Sequence, residues 1–189
     1  IGAESTRPGS DPVPEAQELE RVVRFVEAAR GWKVPLSIDT LKPTVMRAAL
    51  AAGADMINDI NAFRASGAIE AVAAGESGLC VMHMLGQPRT MQQDPRYADV
   101  VGEVTGFLDE RVAALVAAGV ARERIVLDPG FGFGKSVGHN YALLRELARV
   151  GVGGLPVLAG LSRKSMLGAV TGRAVGERLA ASVAGALIA

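Results

Sequence analysis

The chain has little of what usually announces a small protein's chemistry. It holds one cysteine, two histidines, one tryptophan and an aromatic content of only 4%. A single cysteine excludes an intramolecular disulfide and leaves a cysteine-based zinc site without ligands. Cys80 sits inside an apolar run and reads as a small buried hydrophobe. Net charge is missing too: 20 Lys+Arg balance 20 Asp+Glu, so no global basic field exists to collect nucleic acid or an anionic membrane surface. No stretch approaches the roughly 18 uncharged apolar residues of a membrane span, and no signal-like segment opens the chain. The expectation is a soluble cytoplasmic protein with neither nucleic acid nor membrane as a partner.

What is present is aliphatic. Hydrophobic residues make up 49% of 189, enough for one domain with a sizeable core. With so few aromatics, alanine, valine, leucine and glycine carry the packing, a balance common where strands are buried on both faces. Ser10 or Asp11 can cap a first helix, with Pro12 in its first turn. Leu19, Val22, Val23, Val26 and Ala29 then recur at helical spacing up to Gly31. Strands are expected at 34–40, 54–60, 79–84, 125–128 and 155–161. Helices are expected at 43–52, 68–74, about 98–118, about 141–150 and from 176 to the end. Five strands and six helices in alternation mean parallel strands with right-handed crossovers.

A doubly wound open sheet and a (β/α)8 barrel both satisfy that alternation. Asp39, Asn58, Asp59, His83, Asp128 and the trio Ser162, Arg163 and Lys164 all fall at C-terminal strand ends. A barrel converges every strand end on one site, whereas an open sheet places its site mainly at one switch point. The barrel is favoured. Since a whole barrel takes about 250 residues, the chain is expected to be a partial barrel, incomplete at both ends.

Three familiar motifs fail. DPGFGFGKS (128–136) resembles a nucleotide P-loop, but Pro129 stands where the first glycine is required. A dinucleotide fingerprint fails because Lys135 replaces its third glycine. GLSRK (160–164) suggests a nucleophile elbow, but Lys164 replaces the second glycine. His83 and His139 lack metal-ligand spacing, so His83 is expected to be structural. What remains is a set: carboxylates at Asp39 and Asp128, a carboxamide at Asn58 and an ammonium at Lys164. Converged in one mouth, they offer acceptors, donors and a cation to a flat polar heterocycle such as a pterin.

The segments GAESTRPGS (2–10), SIDT (37–40), NDI (58–60), MHM (82–84), DPGFGFGK (128–135) and GLSRKSMLG (160–168) resemble the dihydropteroate synthase family, in order and spacing. That resemblance covers essentially the whole chain, and it implies a pterin-binding TIM barrel. Asp128 resembles the carboxylate that binds the pterin amino and ring N–H groups. Asn58 and Asp39 resemble further pterin contacts, Met82 the residue on the pterin face, and Thr6 and Gly160 other members of that pocket. Lys164 resembles the lysine between the pterin carbonyl and the p-aminobenzoate site. Thr6, Arg7, Pro8, Phe133, Lys164 and Ser165 resemble the p-aminobenzoate pocket, where sulfonamides compete.

The implied reaction is displacement of diphosphate from a pterin methylene by an aryl amine. Asp39, Asp128 and Lys164 are its catalytic candidates, magnesium its cofactor, and a homodimer the assembly expected of the complete chain. The family's magnesium-contacting asparagine and its Arg-x-His pair have no counterpart in these residues, so no metal ligand is expected within the chain. Two rival readings remain: the methyltetrahydrofolate-binding domain of a methyltransferase, and a non-catalytic barrel homologue. Neither is expected to carry the whole set of ESTRPG, SRKSM and the polar strand ends.

Overall fold

The computed structural model describes residues 1–7 and 9–189; Pro8, one of the p-aminobenzoate candidates, lies outside the described residues. Helix α1 (Glu15–Ala29) buries one stripe made of Glu18, Val22, Val26 and Ala29. Helix α2 (Pro43–Ala52) opens on a proline, whose N–H is not needed there, and closes on Gly53 in the left-handed region. The strands β1 (Ser37–Asp39), β2 (Met56–Asp59), β3 (Gly78–Met82) and β4 (Ile125–Asp128) are short and parallel. Helices α3 (Ala68–Val72) and α4 (Val100–Ala117) lie between β2, β3 and β4 in sequence, and α5 (Val137–Arg145), α6 (Leu147–Val150), α7 (Ser165–Thr171) and α8 (Leu179–Ile188) follow β4.

Strand order decides between the two architectures. The sheet runs β1-β2-β3-β4 with each strand beside its sequence neighbour. A doubly wound sheet reverses direction at its switch point, and this one does not. The result is part of the wall of a (β/α)8 barrel. The two faces differ accordingly. Ile38, Ile57, Leu79, Val81, Ile125 and Leu127 are fully buried and join helical residues such as Val26, Met46, Leu108 and Leu143 in the main core. The opposite face carries Asp39, Asn58 and Cys80 in one row of register partners, and Met82 beside Asp128 one step higher. Residues in a strand alternate between faces, so one period-2 pattern supplies both the core and the polar lumen.

Several sequence-based expectations need correction. There are four strands among the described residues rather than five. The segment expected at 155–161 makes a single parallel bridge, Val157 with Leu127. Pro156 has no N–H for a ladder; its carbonyl accepts from Leu127 N (2.9 Å), and Leu158 N donates to Leu127 O (2.7 Å). Eight α-helices appear among the described residues rather than six. Helix α7 occupies a stretch expected to be loop, and α5 begins at Val137 because Ser136 and His139 form a reciprocal cap there. The first helix starts at Glu15, not near Pro12. Ser10 Oγ is engaged by the carbonyls of Ser5 (2.5 Å) and Arg7 (2.8 Å), and Val13 N donates to Glu4 Oε2 (2.7 Å), so neither continues into a helix.

Candidate active site

At the top of β1 and β2, Asp39 and Asn58 are register partners. Each leaves its Oδ1 atom buried without a hydrogen-bond donor. Buried acceptors are normally satisfied, so two adjacent orphans facing the lumen mark a place where a donor-rich ligand belongs. Asp128, at the end of β4, is buried and accepts from Gly130 N through Oδ1 (2.7 Å). Its Oδ2 faces Gly160, where an added Cβ would lie 3.9 Å away. Burial pushes the carboxyls of Asp39 and Asp128 up to about 6; the charges of Glu18 and Asp128 add to the rise at Asp39, while the Gly130 N–H and the Lys164 and Lys135 charges oppose it at Asp128. Met82, the register partner of Asp128, is buried in a small apolar cluster with Ile60, Met84 and Met91, against which Phe133 packs.

A second space adjoins this one. A cavity of about 640 Å³ is lined by Thr6, Arg7, Phe133, Lys164 and Ser165, together with Gln92, Arg163 and Arg178. The described p-aminobenzoate candidates are therefore brought together. Asp39, Asn58, Asp128, Met82 and Gly160 are not part of that lining; they lie on the lumen face of the sheet or beside it. Lys164 belongs to both. Its Nζ stands 4.5 Å from the centre of the Phe133 ring, and burial lowers its affinity for a proton while the nearby Asp128 charge opposes that.

Three local devices hold these groups. The first concerns the loop bearing Thr6 and Arg7. Lys42 Nζ bonds Glu4 Oε2 (2.6 Å) and Val13 O (2.8 Å) and pairs with Glu18, whose other oxygen accepts from Thr40 Oγ1 (2.6 Å). This ties the loop to the end of β1 through one ammonium. The second is the turn after β2. Asp59 accepts from Asn61 N and Phe63 N (2.7 Å each), and Arg111 donates to Ala62 O (2.9 Å). Ala62 and Phe63 have φ values of +54° and +56°, a region disfavoured for side-chain-bearing residues, so these three bonds hold a strained turn. The third is the glycine-rich loop after β4. Gly130 (φ +68°) leaves an added Cβ only 2.0 Å from the His83 carbonyl oxygen, so no other residue fits.

His83 is structural, as its sequence context implied. It is buried, its ring meets Phe107 edge-on at 5.0 Å, and burial followed by the Lys135 charge lowers its pKa to about 3. Sequence reading missed Glu18, Lys42, Lys135 and Arg178. A signal existed for Glu18: it shares the i, i+4, i+8 stripe of Val22 and Val26, where a carboxylate demands a buried partner. Nothing local to Arg178 announces that it donates to Arg163 O (3.1 Å) and Arg173 O (3.0 Å).

Among the described residues, no group of three or more His, Cys, Asp or Glu side chains is placed to hold a metal ion. The donor set of this mouth does not by itself fit magnesium.

Residues 1–189 match the pterin binding enzyme family. Dihydropteroate synthase of Haemophilus influenzae is 50% identical over 190 residues, which cover 100% of this chain and 69% of that protein. The crystal structure of Burkholderia cenocepacia dihydropteroate synthase complexed with 7,8-dihydropteroate superposes with a TM-score of 0.93 at 62% identity, covering 100% of this chain and 70% of that one. A dihydropteroate synthase structure from Xanthomonas albilineans with 4-aminobenzoic acid gives a TM-score of 0.93 at 50% identity, covering 100% and 67%. The polar lumen, the adjoining cavity and the whole-length similarity agree: the chain belongs to the pterin binding enzyme family, among its dihydropteroate synthases.

Proposed function

We propose that this chain condenses 7,8-dihydropterin-6-ylmethyl diphosphate with p-aminobenzoate, giving 7,8-dihydropteroate and diphosphate in folate biosynthesis. The observation that carries the reading is the adjacent pair of unsatisfied acceptors, Asp39 Oδ1 and Asn58 Oδ1, opening beside a separate cavity that Lys164 borders. A pterin edge supplies the missing donors, and the cavity takes the aryl amine and its carboxylate.

In this reading the pterin methylene carbon–oxygen bond breaks and its electron pair leaves with the diphosphate. The amine nitrogen then forms the new bond to that carbon and gives up one proton to solvent or to the departing diphosphate. Charge that builds on the pterin ring is stabilised by Asp39 and Asp128, fixed acceptors in a half-buried site. Lys164 donates to the pterin carbonyl and stacks on Phe133 at the boundary between the two substrates. Thr6, Arg7 and Ser165 face the aryl carboxylate, the position that sulfonamides would contest. Met82 and Gly160 give the ring an apolar edge and room. The loop tethered by Lys42 covers the mouth and keeps water from the developing cation. Magnesium is proposed as the counter-ion of the diphosphate; no step is assigned to it, since these residues make no metal site.

A homodimer and a cytoplasmic setting complete the proposal. No helix among the described residues is long and apolar enough to cross a membrane.

Dihydropteroate formation from labelled p-aminobenzoate, the dihydropterin diphosphate and magnesium tests the function, using the full reading frame that contains this chain. Product supports it. A soluble, folded protein that makes none overturns it.

A further inference from the structure

The loop between β4 and α5 is built largely of glycine, yet its peptide groups are tied down one after another. Asp128 accepts from Gly130 N (2.7 Å), and Asn140 accepts from Gly132 N (2.7 Å) and donates to Lys135 O (3.3 Å). Gln92 donates to Gly132 O, and Tyr97 donates to Gly134 O (2.9 Å). Lys135 is the centre of this arrangement. Only 3% exposed, it bends back under its own loop. Its Nζ bonds Phe133 O (3.0 Å), Gly130 O (3.1 Å) and His83 Nδ1 (2.9 Å), with the His83 carbonyl at 3.3 Å.

A lysine so buried ordinarily pairs with a carboxylate. No salt bridge to Lys135 occurs among the described residues. Its three protons go instead to two loop carbonyls and one ring nitrogen. Burial lowers its pKa to about 7, so holding this cation here costs stability that a purely architectural role would not require. The loop leaves no room to relax otherwise: an added Cβ at Gly134 would lie 2.6 Å from the Leu85 carbonyl oxygen. The one large side chain that the loop presents outward is Phe133, over the Lys164 ammonium and in the wall of the 640 Å³ cavity.

We propose that Lys135 is a positioning residue that fixes the Phe133 wall of the aryl-amine pocket, and so sets affinity for p-aminobenzoate. This rests on the synthase reading above. Rigidity is the physical reason. Free φ/ψ rotation at Gly130, Gly132 and Gly134 would let the ring leave its place over Lys164, and a displacement of about 1 Å in an orienting group can cost up to about a hundredfold in rate.

The experiment compares Lys135→Met and Tyr97→Phe with the parent, in the full protein. Steady-state kinetics are measured against each substrate separately, with direct binding of the dihydropterin diphosphate and thermal midpoints alongside. The expected result is a rise of about tenfold in KM for p-aminobenzoate in Lys135→Met, and about threefold in Tyr97→Phe, with pterin binding within about twofold of the parent in Tyr97→Phe, which keeps the Lys135 charge that acts on Asp128. Unchanged KM values in both variants overturn the proposal, as does an equal loss of both substrates in a folded Tyr97→Phe. If Lys135→Met does not fold, Tyr97→Phe, which keeps its ring contacts, decides alone. A parent that forms no product refutes the synthase reading itself, whereas an active parent beside indifferent variants refutes only the role of Lys135.

Discussion

Asp39 and Asn58 stand opposite each other across β1 and β2, and each holds a buried side-chain oxygen that nothing in the fold satisfies. An unsatisfied buried acceptor costs about 1–3 kcal/mol. Asn58→Leu removes one such cost while keeping a similar volume. The thermal midpoint is expected to stay or rise, and pterin affinity to fall by at least about tenfold, the worth of one good hydrogen bond. Calorimetric binding and melting on the same sample check both. A variant that melts early and binds normally would place Asn58 in the architecture instead.

Asp128→Asn preserves an oxygen for Gly130 N, so the loop should survive. The amide cannot stabilise a pterin cation as a carboxylate does. Turnover is expected to drop by about a hundredfold or more with a nearly unchanged melting point, and single-turnover kinetics would read the chemical step directly. Near-normal rates would remove Asp128 from the mechanism.

Acid should weaken pterin binding. Asp39 and Asp128 reach about 6 in the folded protein, against an ordinary 3.8. Only their ionised forms accept from two ring donors, so affinity should be flat above about pH 7 and fall as pH drops through about 6. Stability runs the other way. A carboxyl with a raised folded-state pKa contributes most below its unfolded value and loses that contribution as pH climbs through the folded one. Fluorescence titration of pterin at about pH 5 and about pH 8 reads the affinity, and the carboxyl share of stability is read as the difference in urea denaturation between the parent and Asp128→Asn at the two pH values, because buried His83 and Lys135 act in the opposite sense on the total.

Lys42→Met should be damaging, because it leaves the buried Glu18 carboxylate facing only Thr40. Breaking one partner out of a buried pair costs about 3–5 kcal/mol. Adding Glu18→Gln to that variant should recover part of the loss, a non-additivity that urea denaturation of the cycle measures. Additive effects would mean that Lys42 and Glu18 do not hold the Thr6 loop together.

Gly168 and Arg178 form another coupled pair. A Cβ on Gly168 would lie 2.3 Å from Arg178 Nη2, so Gly168→Ala should expel the guanidinium that bonds the Arg163 carbonyl. Gly168→Ala and Arg178→Met should each raise KM for p-aminobenzoate by several-fold, about 1 kcal/mol or less of binding energy, and the double variant should match either single one.

The chain by itself determined a good deal here. Period-2 spacing in Ile57, Asn58 and Asp59 or Val126, Leu127 and Asp128 decides which side chains meet helices and which face the lumen, because alternation is a property of extended backbone. The strand-end positions of Asp39, Asn58 and Asp128 follow from local pattern too. Strand 155–161 and helix α7 were misjudged because short apolar runs do not reveal whether a neighbour will supply a ladder, and Pro156 weakens the one that forms. The contacts of Glu18, Lys42, Lys135 and Arg178 were decided only in three dimensions. Each joins segments distant in sequence or a loop folded back on itself, and a long flexible cation carries no sign in its neighbours of which carbonyls or carboxylates the fold will bring to it.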